Sequence, residues 1–210
     1  MEEDDELVEA WRGGDERAGR RLVERHYPAV ERFFFNKVGE RAADLIQLSF
    51  LRVLEAKRRV HPGGNFLAYL LGIARNVLYE HYRHVRKDLD RLDFLSQSAM
   101  DLSPSPSSWM VGQQEARLLL EALKRIPLDH QIVLELYYWE NMRSREVAEV
   151  LELAEGTTRS RIRRAKQLLE QQLAALATSP AQLRSTTANL EQWAAQLKQQ
   201  VGSGPGAAGA

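Results

Sequence analysis

The sequence predicts an all-α protein: two small helical domains joined by a flexible linker, the second a helix-turn-helix, followed by a C-terminal helical extension. Three observations lead there. Apolar residues recur at helical spacing along most of the 210 residues, with no convincing strand pair. A Ser/Pro-rich stretch, Gln97 to Ser108, interrupts that periodicity. The segment Glu155 to Lys166 gathers five basic residues and one acid behind a short apolar helix pattern, after a turn of about three residues. Composition therefore divides the chain into 1–95, a linker at 96–110, a second domain at 111–178 and an extension at 179–210.

The elements follow in order. The acidic start, Glu2 to Glu6, reads as a solvated end, and Leu7, Val8 and Trp11 begin a helix that Gly13-Gly14-Asp15 interrupts. Leu22, Val23, His26 and Val30 share one face of the next, with a bend at Pro28. Beyond Gly39, residues Leu45, Ile46, Phe50, Val53 and Leu54 again stand at helical spacing. His61-Pro62-Gly63-Gly64-Asn65 is a loop, after which Phe66 opens a long helix that turns polar towards Lys87. The two Ser-Pro steps at 103–106 disfavour helix and make the linker extended. Leu118, Leu119, Leu123 and Ile126 form a helix that Pro127 ends, and Ile132, Val133, Leu136 and Tyr137 form the next. Leu168, Leu169 and Leu173 continue the basic helix. After Pro180, Leu183, Leu190 and Leu197 recur every seven residues with Trp193 and Val201 beside them, the pattern of a docked amphipathic helix before a Gly/Ala-rich, disordered end.

Composition excludes several function classes. There is no cysteine, so disulfides and thiolate metal sites are absent. The acidic N-terminus is unlike a secretory or mitochondrial leader. The longest apolar run, Phe66 to Ala74, falls well short of the roughly 20 residues a bilayer requires. The expectation is a cytoplasmic protein with no membrane contact. His81 and His84 lack a third metal ligand, and no phosphate loop or nucleophile elbow is present. No metal, no cofactor and no enzymatic activity is expected. With 29 basic and 29 acidic residues the formal charge is zero, which still allows a local basic surface for nucleic acid.

Two such surfaces stand out. On the basic helix, a buried face set by Thr158, Ile162, Ala165 and Leu169 leaves Thr157, Ser160, Arg163, Arg164 and Gln167 opposite, with Arg159 and Arg161 on the flanks. Thr157, Thr158 and Ser160 in the first turn are candidates to bond phosphate or base edges, and arginine can bond guanine bidentately. On the long helix, Arg75, Tyr79, Tyr82 and Arg86 form one stripe, with Arg83, His84 and Lys87 beside it. Alternating rings and guanidinium groups suit single-stranded nucleic acid.

These two faces on two linked helical units resemble an extracytoplasmic-function (ECF) sigma factor of bacterial RNA polymerase. Asp5-Glu6-Leu7-Val8 and Gly14-Asp15-Glu16-Arg17-Ala18 look like the family's opening helices, and Asp44 to Leu54 resembles its polymerase-binding helix. Phe66 to Asn76 is similar to its promoter-melting segment, and Ile126-Pro127, Tyr137-Tyr138, Gly156 to Arg161 and Arg164-Ala165 to its second domain. The resemblance implies that Asp44, Leu45, Gln47, Phe50, Val53 and Leu54 contact the clamp helices of the largest subunit of core RNA polymerase. It implies −10 capture and melting by His61, Asn65, Phe66, Tyr69, Arg75, Asn76, Tyr79, Tyr82, Arg83, Arg86 and Lys87, and −35 duplex reading by Thr157, Thr158, Arg159, Ser160, Arg161, Arg163, Arg164 and Gln167. An anti-sigma factor is a further partner it brings into view. Against the family pattern, Glu152 replaces a turn glycine, where a left-handed backbone costs roughly 1–2 kcal/mol. Ala154 forgoes a helix cap worth about 0.5–2 kcal/mol, and Gly19 stands where a large apolar residue is usual. The competing readings are a stand-alone helix-turn-helix regulator whose first domain senses or dimerises, and a helical adaptor that reads no sequence.

Overall fold

A computed structural model describes residues 2–60, 63–85, 93–102, 114–188 and 192. Ten α-helices are present among them: α1 (Glu2–Arg12), α2 (Glu16–Phe34), α3 (Ala42–Glu55), α4 (Phe66–Val85), α5 (Ala99–Leu102), α6 (Gln114–Arg125), α7 (Leu128–Tyr138), α8 (Ser144–Leu151), α9 (Glu155–Leu176) and α10 (Pro180–Ala188). Short 3₁₀ turns span Gly39–Arg41 and Lys57–Arg59. None of these helices is long and apolar enough to cross a membrane.

Helices α1 to α4 build the first domain. Asp15 starts α2 by accepting the backbone N–H groups of Arg17 at 2.8 Å and Ala18 at 3.3 Å. Where α1 meets α2, the Trp11 ring lies over Gly19, and a Cβ there would sit 2.5 Å from it. The large residue usual at this position is thus replaced by a ring supplied from α1. Two acids of the expected solvated start, Asp4 and Asp5, are instead held by partners, while Glu6 is exposed. Asp4 binds Arg25 at 2.6 Å and the His26 ring at 3.0 Å, while Asp5 accepts the Gly63 N–H at 3.0 Å. Pro28 lies inside α2, which continues past it to Phe34. Proline forfeits one backbone bond, and burial of Ala29, Val30, Phe33 and Phe34 just beyond it offsets that loss.

The second domain is α6 to α9. The turn between α8 and α9 places Glu152 at φ 56°, ψ 43°, the left-handed region. Ala154 gives α9 no side-chain cap; the Ser144 hydroxyl instead donates to Glu155 at 2.8 Å, tying the starts of the two helices together. Thr158, Ile162, Ala165, Leu169 and Leu173 form the buried face of α9. Helix α10 packs against α6 and α9, with Thr186 buried and Leu183 against the core. Leu190, Trp193, Leu197, Val201 and the Gly/Ala-rich end lie outside the described residues.

The first residues of the expected linker, 96–102, are held by hydrogen bonds. Phe94 and Gln97 accept the N–H groups of Asp129 and Leu128 at 3.0 and 2.8 Å, and Ser98 bonds Asp101 at the start of α5. The loop into α5 is therefore anchored to the start of α7, and residues 103–113 lie outside the description.

The two domains are in direct contact rather than merely tethered. Helix α8 lies on α4, and Val147 and Val150 are fully buried. Arg32 of α2 forms a paired contact with Glu140 at 2.7 and 2.8 Å, and the Asn36 amide donates to the Leu120 carbonyl at 3.0 Å. Between these, Lys37 and Glu135 make a buried ion pair in which Gln131 donates to the carboxylate at 2.8 Å. Loss of water pushes Lys37 below its ordinary range and Glu135 above its own; in each, dehydration outweighs the attraction to the partner.

Two stability predictions follow from the backbone positions. Gly19→Ala gains about 1 kcal/mol of helix propensity but drives a methyl into the Trp11 ring, so urea denaturation is expected to give a net loss of about 1–3 kcal/mol. Unchanged stability would mean that α1 does not sit against α2 in this way. Glu152→Gly relieves the left-handed turn and is expected to raise stability by about 1 kcal/mol, with an unchanged denaturant slope.

Candidate nucleic-acid interface

The second helix of the helix-turn-helix presents a polar, basic face. Thr157, Arg159, Ser160, Arg163, Arg164 and Gln167 are exposed. The Ser160 hydroxyl donates to the Thr157 carbonyl at 2.7 Å, and Arg159 reaches back to Glu155. The Ser144 hydrogen bond, aided by Arg159, holds the Glu155 carboxyl below its usual range. Two expected contacts change. Thr158 is buried, its hydroxyl donating to the Ala154 carbonyl at 3.2 Å, so it is an internal brace and not a DNA contact. Arg161 turns inward and donates to Asp129 at 3.0 Å.

The aromatic stripe of α4 is not an open face. Tyr82 is fully buried and donates to the Lys37 carbonyl at 2.8 Å; burial pushes its hydroxyl well above the ordinary range. Tyr79 is also buried, stacked on Phe94 with centroids 4.2 Å apart, and its hydroxyl donates to Asp129. Burial is the main cause of its raised pKa, and the Asp129 charge adds to it. Phe66 packs inside against His26. The rings of Phe66, Tyr79 and Tyr82 are thus unavailable to bases in this conformation. A helical stripe in sequence fixes which residues share a face, not whether another helix covers it.

What α4 leaves accessible is different. Asn76 and Arg83 are exposed, while Asn65, Tyr69 and Arg75 are half-buried. The Arg75 guanidinium lies over the Tyr79 ring and its Nε donates to the Tyr79 hydroxyl at 3.0 Å; Arg83 lies over Phe94. Asn65 caps α4 by accepting the Ala68 N–H at 3.0 Å and donates to Glu146 of α8 at 2.9 Å. His61, Arg86 and Lys87 lie outside the described residues.

On α3 the expected partner-binding set divides in two. Asp44, Gln47 and Leu54 are exposed, whereas Leu45, Phe50 and Val53 are buried core residues that hold the helix in place. The exposed stripe includes Leu51, which the sequence reading passed over: Leu51 is 49% and Leu54 46% exposed. Tyr27 of α2, 43% exposed, extends this patch by stacking on Phe50. Residues 44, 47, 51 and 54 stand at one helical repeat, on the side of the helix away from Leu45, Ile46, Phe50 and Val53, so the sequence pattern carries this stripe. Also missed were the buried charges Lys37, Asp129 and Glu135, each legible as a charge set inside an apolar period. Among the described residues no cluster of His, Cys, Asp or Glu is arranged to hold a metal.

Comparison with known proteins accounts for this arrangement. Residues 22–87 match the family model for Sigma-70 region 2, and residues 116–169 that for Sigma-70 region 4. The chain is 30% identical over 171 residues to the RNA polymerase sigma factor CarQ of Myxococcus xanthus, covering 80% of this chain and 97% of that protein. It is 29% identical over 161 residues to the ECF RNA polymerase sigma factor BldN of Streptomyces coelicolor, covering 74% and 60% of the respective chains. A probable RNA polymerase sigma factor, RfaY of Xanthomonas campestris, is 32% identical over 133 residues; the match takes in 62% of this chain and only 33% of that longer protein. Among solved structures, CnrH in complex with the cytosolic domain of CnrY superposes with a TM-score of 0.60 at 24% identity, over 83% of this chain and 99% of that one. The sigma factor RpoE of Bartonella quintana, solved with the anti-sigma factor NepR, gives 0.58 at 21% identity, over 74% and 96%. These last two establish shared fold. With both sigma regions matched in order and CarQ matched over nearly its whole length, the chain belongs to the ECF sigma factor family of bacterial RNA polymerase.

Proposed function

We propose that this chain joins core RNA polymerase, directs it to promoters that carry a matching −35 and −10 pair, and performs no covalent step of its own. The observation that carries the reading is the exposed face of α9. Arg163, Arg164, Ser160 and Gln167 stand clear of the protein on the second helix of a helix-turn-helix, where base edges and phosphates of a major groove would meet them. The polymerase contact falls to the exposed stripe Asp44, Gln47, Leu51 and Leu54, an apolar strip edged by polar groups and suited to helix-on-helix packing. Captured −10 bases fall to the α4 stripe, with Asn76, Arg83 and Tyr69 at its accessible edge. An anti-sigma factor is a candidate regulator, by analogy with the partner bound to RpoE of Bartonella quintana. The stand-alone regulator is the weaker reading, because it leaves the match to Sigma-70 region 2 without a role.

Two substitutions separate the surfaces. Leu51→Asp is expected to weaken binding to core polymerase by more than about tenfold, close to 1.4 kcal/mol, and to leave duplex DNA binding intact. Arg164→Ala should do the reverse, costing about 1–3 kcal/mol on a selected −35 duplex and lowering the salt dependence by about one counterion. Full polymerase binding by the Leu51 variant, or an unchanged salt slope for the Arg164 variant, would remove that surface from the mechanism.

A further inference from the structure

The acidic first turn of α1 belongs to none of the surfaces assigned above, yet it reaches the loop that leads into α4. Gly63 and Gly64 are exposed, and Gly63 sits at φ 81°, a backbone conformation that glycine adopts without strain. Among the described residues, none beyond its chain neighbours lies within 4 Å of where a Gly63 Cβ would stand, so packing does not fix the loop on that side. Hydrogen bonds do. Asn65 closes the loop by accepting the Ala68 N–H at 3.0 Å, and the Asp5 carboxylate, 58 residues away in the chain, accepts the Gly63 N–H at 3.0 Å.

Asp5 is a firm anchor because its own helix is firmly seated. Leu7, Val8 and Trp11 bury α1 in the core. The neighbouring Asp4 bonds Arg25 at 2.6 Å and the His26 ring at 3.0 Å, and that buried ring packs against Phe66, the first residue of α4. The first turn of α1 is thus joined to α2 and, through His26, to the start of the helix that the loop precedes. The acceptor of the Gly63 bond and the helix that the loop enters are parts of one packed body.

We propose that Asp5 is a positioning residue for −10 recognition: it fixes the path of Gly63 to Asn65, and so which bases seat against Asn65 and Tyr69. This rests on the reading of the loop and α4 as the −10 surface. Two adjacent glycines give an unanchored loop many conformations, and a strand held by such a loop meets little preference among bases. A carboxylate beside a DNA strand repels phosphate, so its charge does not favour binding there. Its role is to accept one backbone N–H, for which a neutral acceptor suffices.

Acceptor and charge can be separated by substitution. Asp5→Asn keeps an acceptor and removes the charge, whereas Asp5→Ala removes both. Each full-length variant, joined to core polymerase, is titrated with forked promoter fragments whose single-stranded −10 tract is selected from a random pool by the parent holoenzyme. The same fragments with each −10 base replaced in turn measure discrimination. Asp5→Ala is expected to lower discrimination at one or more −10 positions by about tenfold, with thermal midpoint and polymerase affinity as in the parent. Asp5→Asn should stay within about threefold of the parent. Both variants should bind the substituted fragments at least as tightly as the parent does, because a negative charge has gone. Hydrogen exchange of the Gly63 amide in the free chain should quicken by about tenfold in Asp5→Ala and remain slow in Asp5→Asn. Unchanged discrimination in Asp5→Ala would overturn the proposal. So would an equal loss in both variants, which assigns the effect to charge, or a fall in thermal midpoint that tracks the loss, which assigns it to folding. A parent holoenzyme indifferent to its −10 bases would overturn the −10 reading itself, while Gly63 exchange still reports whether the anchor exists.

Discussion

Helix α4 is enclosed by neighbours from both domains, and the rest of the molecule is arranged around that burial. Leu70, Leu71, Ala74 and Leu78 are fully buried within the first domain, against α2 and α3. The opposite flank, which carries Arg75 and Tyr79, meets Phe94, Asp129 and α8 of the second half. A helix with apolar residues on one side and aromatic, hydrogen-bonding residues on the other can be covered twice only if each polar group finds a partner. Here it does, through the Tyr79 and Tyr82 hydroxyls. Tyr79, a ring that could stack on bases, here bonds across the domain contact, while Tyr82 bonds within the first domain; a ring with a polar tip suits either partner.

The neutral total charge makes sense in this setting. Acids are spent on internal pairing: Asp4 with Arg25 and His26, Glu140 with Arg32, Glu135 with Lys37 and Asp129 with Arg161. Arg163 and Arg164 remain on the outer face of α9, so the local field there is positive although the sum is zero. The pairs across the domain contact are mostly withdrawn from solvent, so salt will screen them less than it screens a DNA contact. Ionic strength should therefore modulate promoter binding before it disturbs the contact between the domains.

Much of this fold is legible in the sequence because helical periodicity is a local property. Leu45, Ile46, Phe50 and Val53 mark the inner face of α3, and Ile162, Ala165 and Leu169 that of α9, without reference to anything distant. The outward residues of α9 were legible for the same reason. What escaped the reading is what depends on contacts far apart in the chain. Tyr79 and Tyr82 have the spacing of a binding stripe, and only the arrival of Asp129 and the proximity of Lys37 show them to be covered. Asp4 looks solvated until α2 places Arg25 and His26 beside it. Thr158 fell between two local rules, since a first-turn threonine can cap a phosphate or brace its own helix, and here it braces.

If this chain gives core polymerase its promoter preference, transcription itself will reveal it. Purified chain and core polymerase would be tested by run-off transcription over a library of promoter fragments. Transcripts are expected from a subset of fragments that share a spaced −35 and −10 pair, and none of them from core polymerase alone. Stable polymerase binding with no promoter-dependent transcript from any fragment would contradict that role.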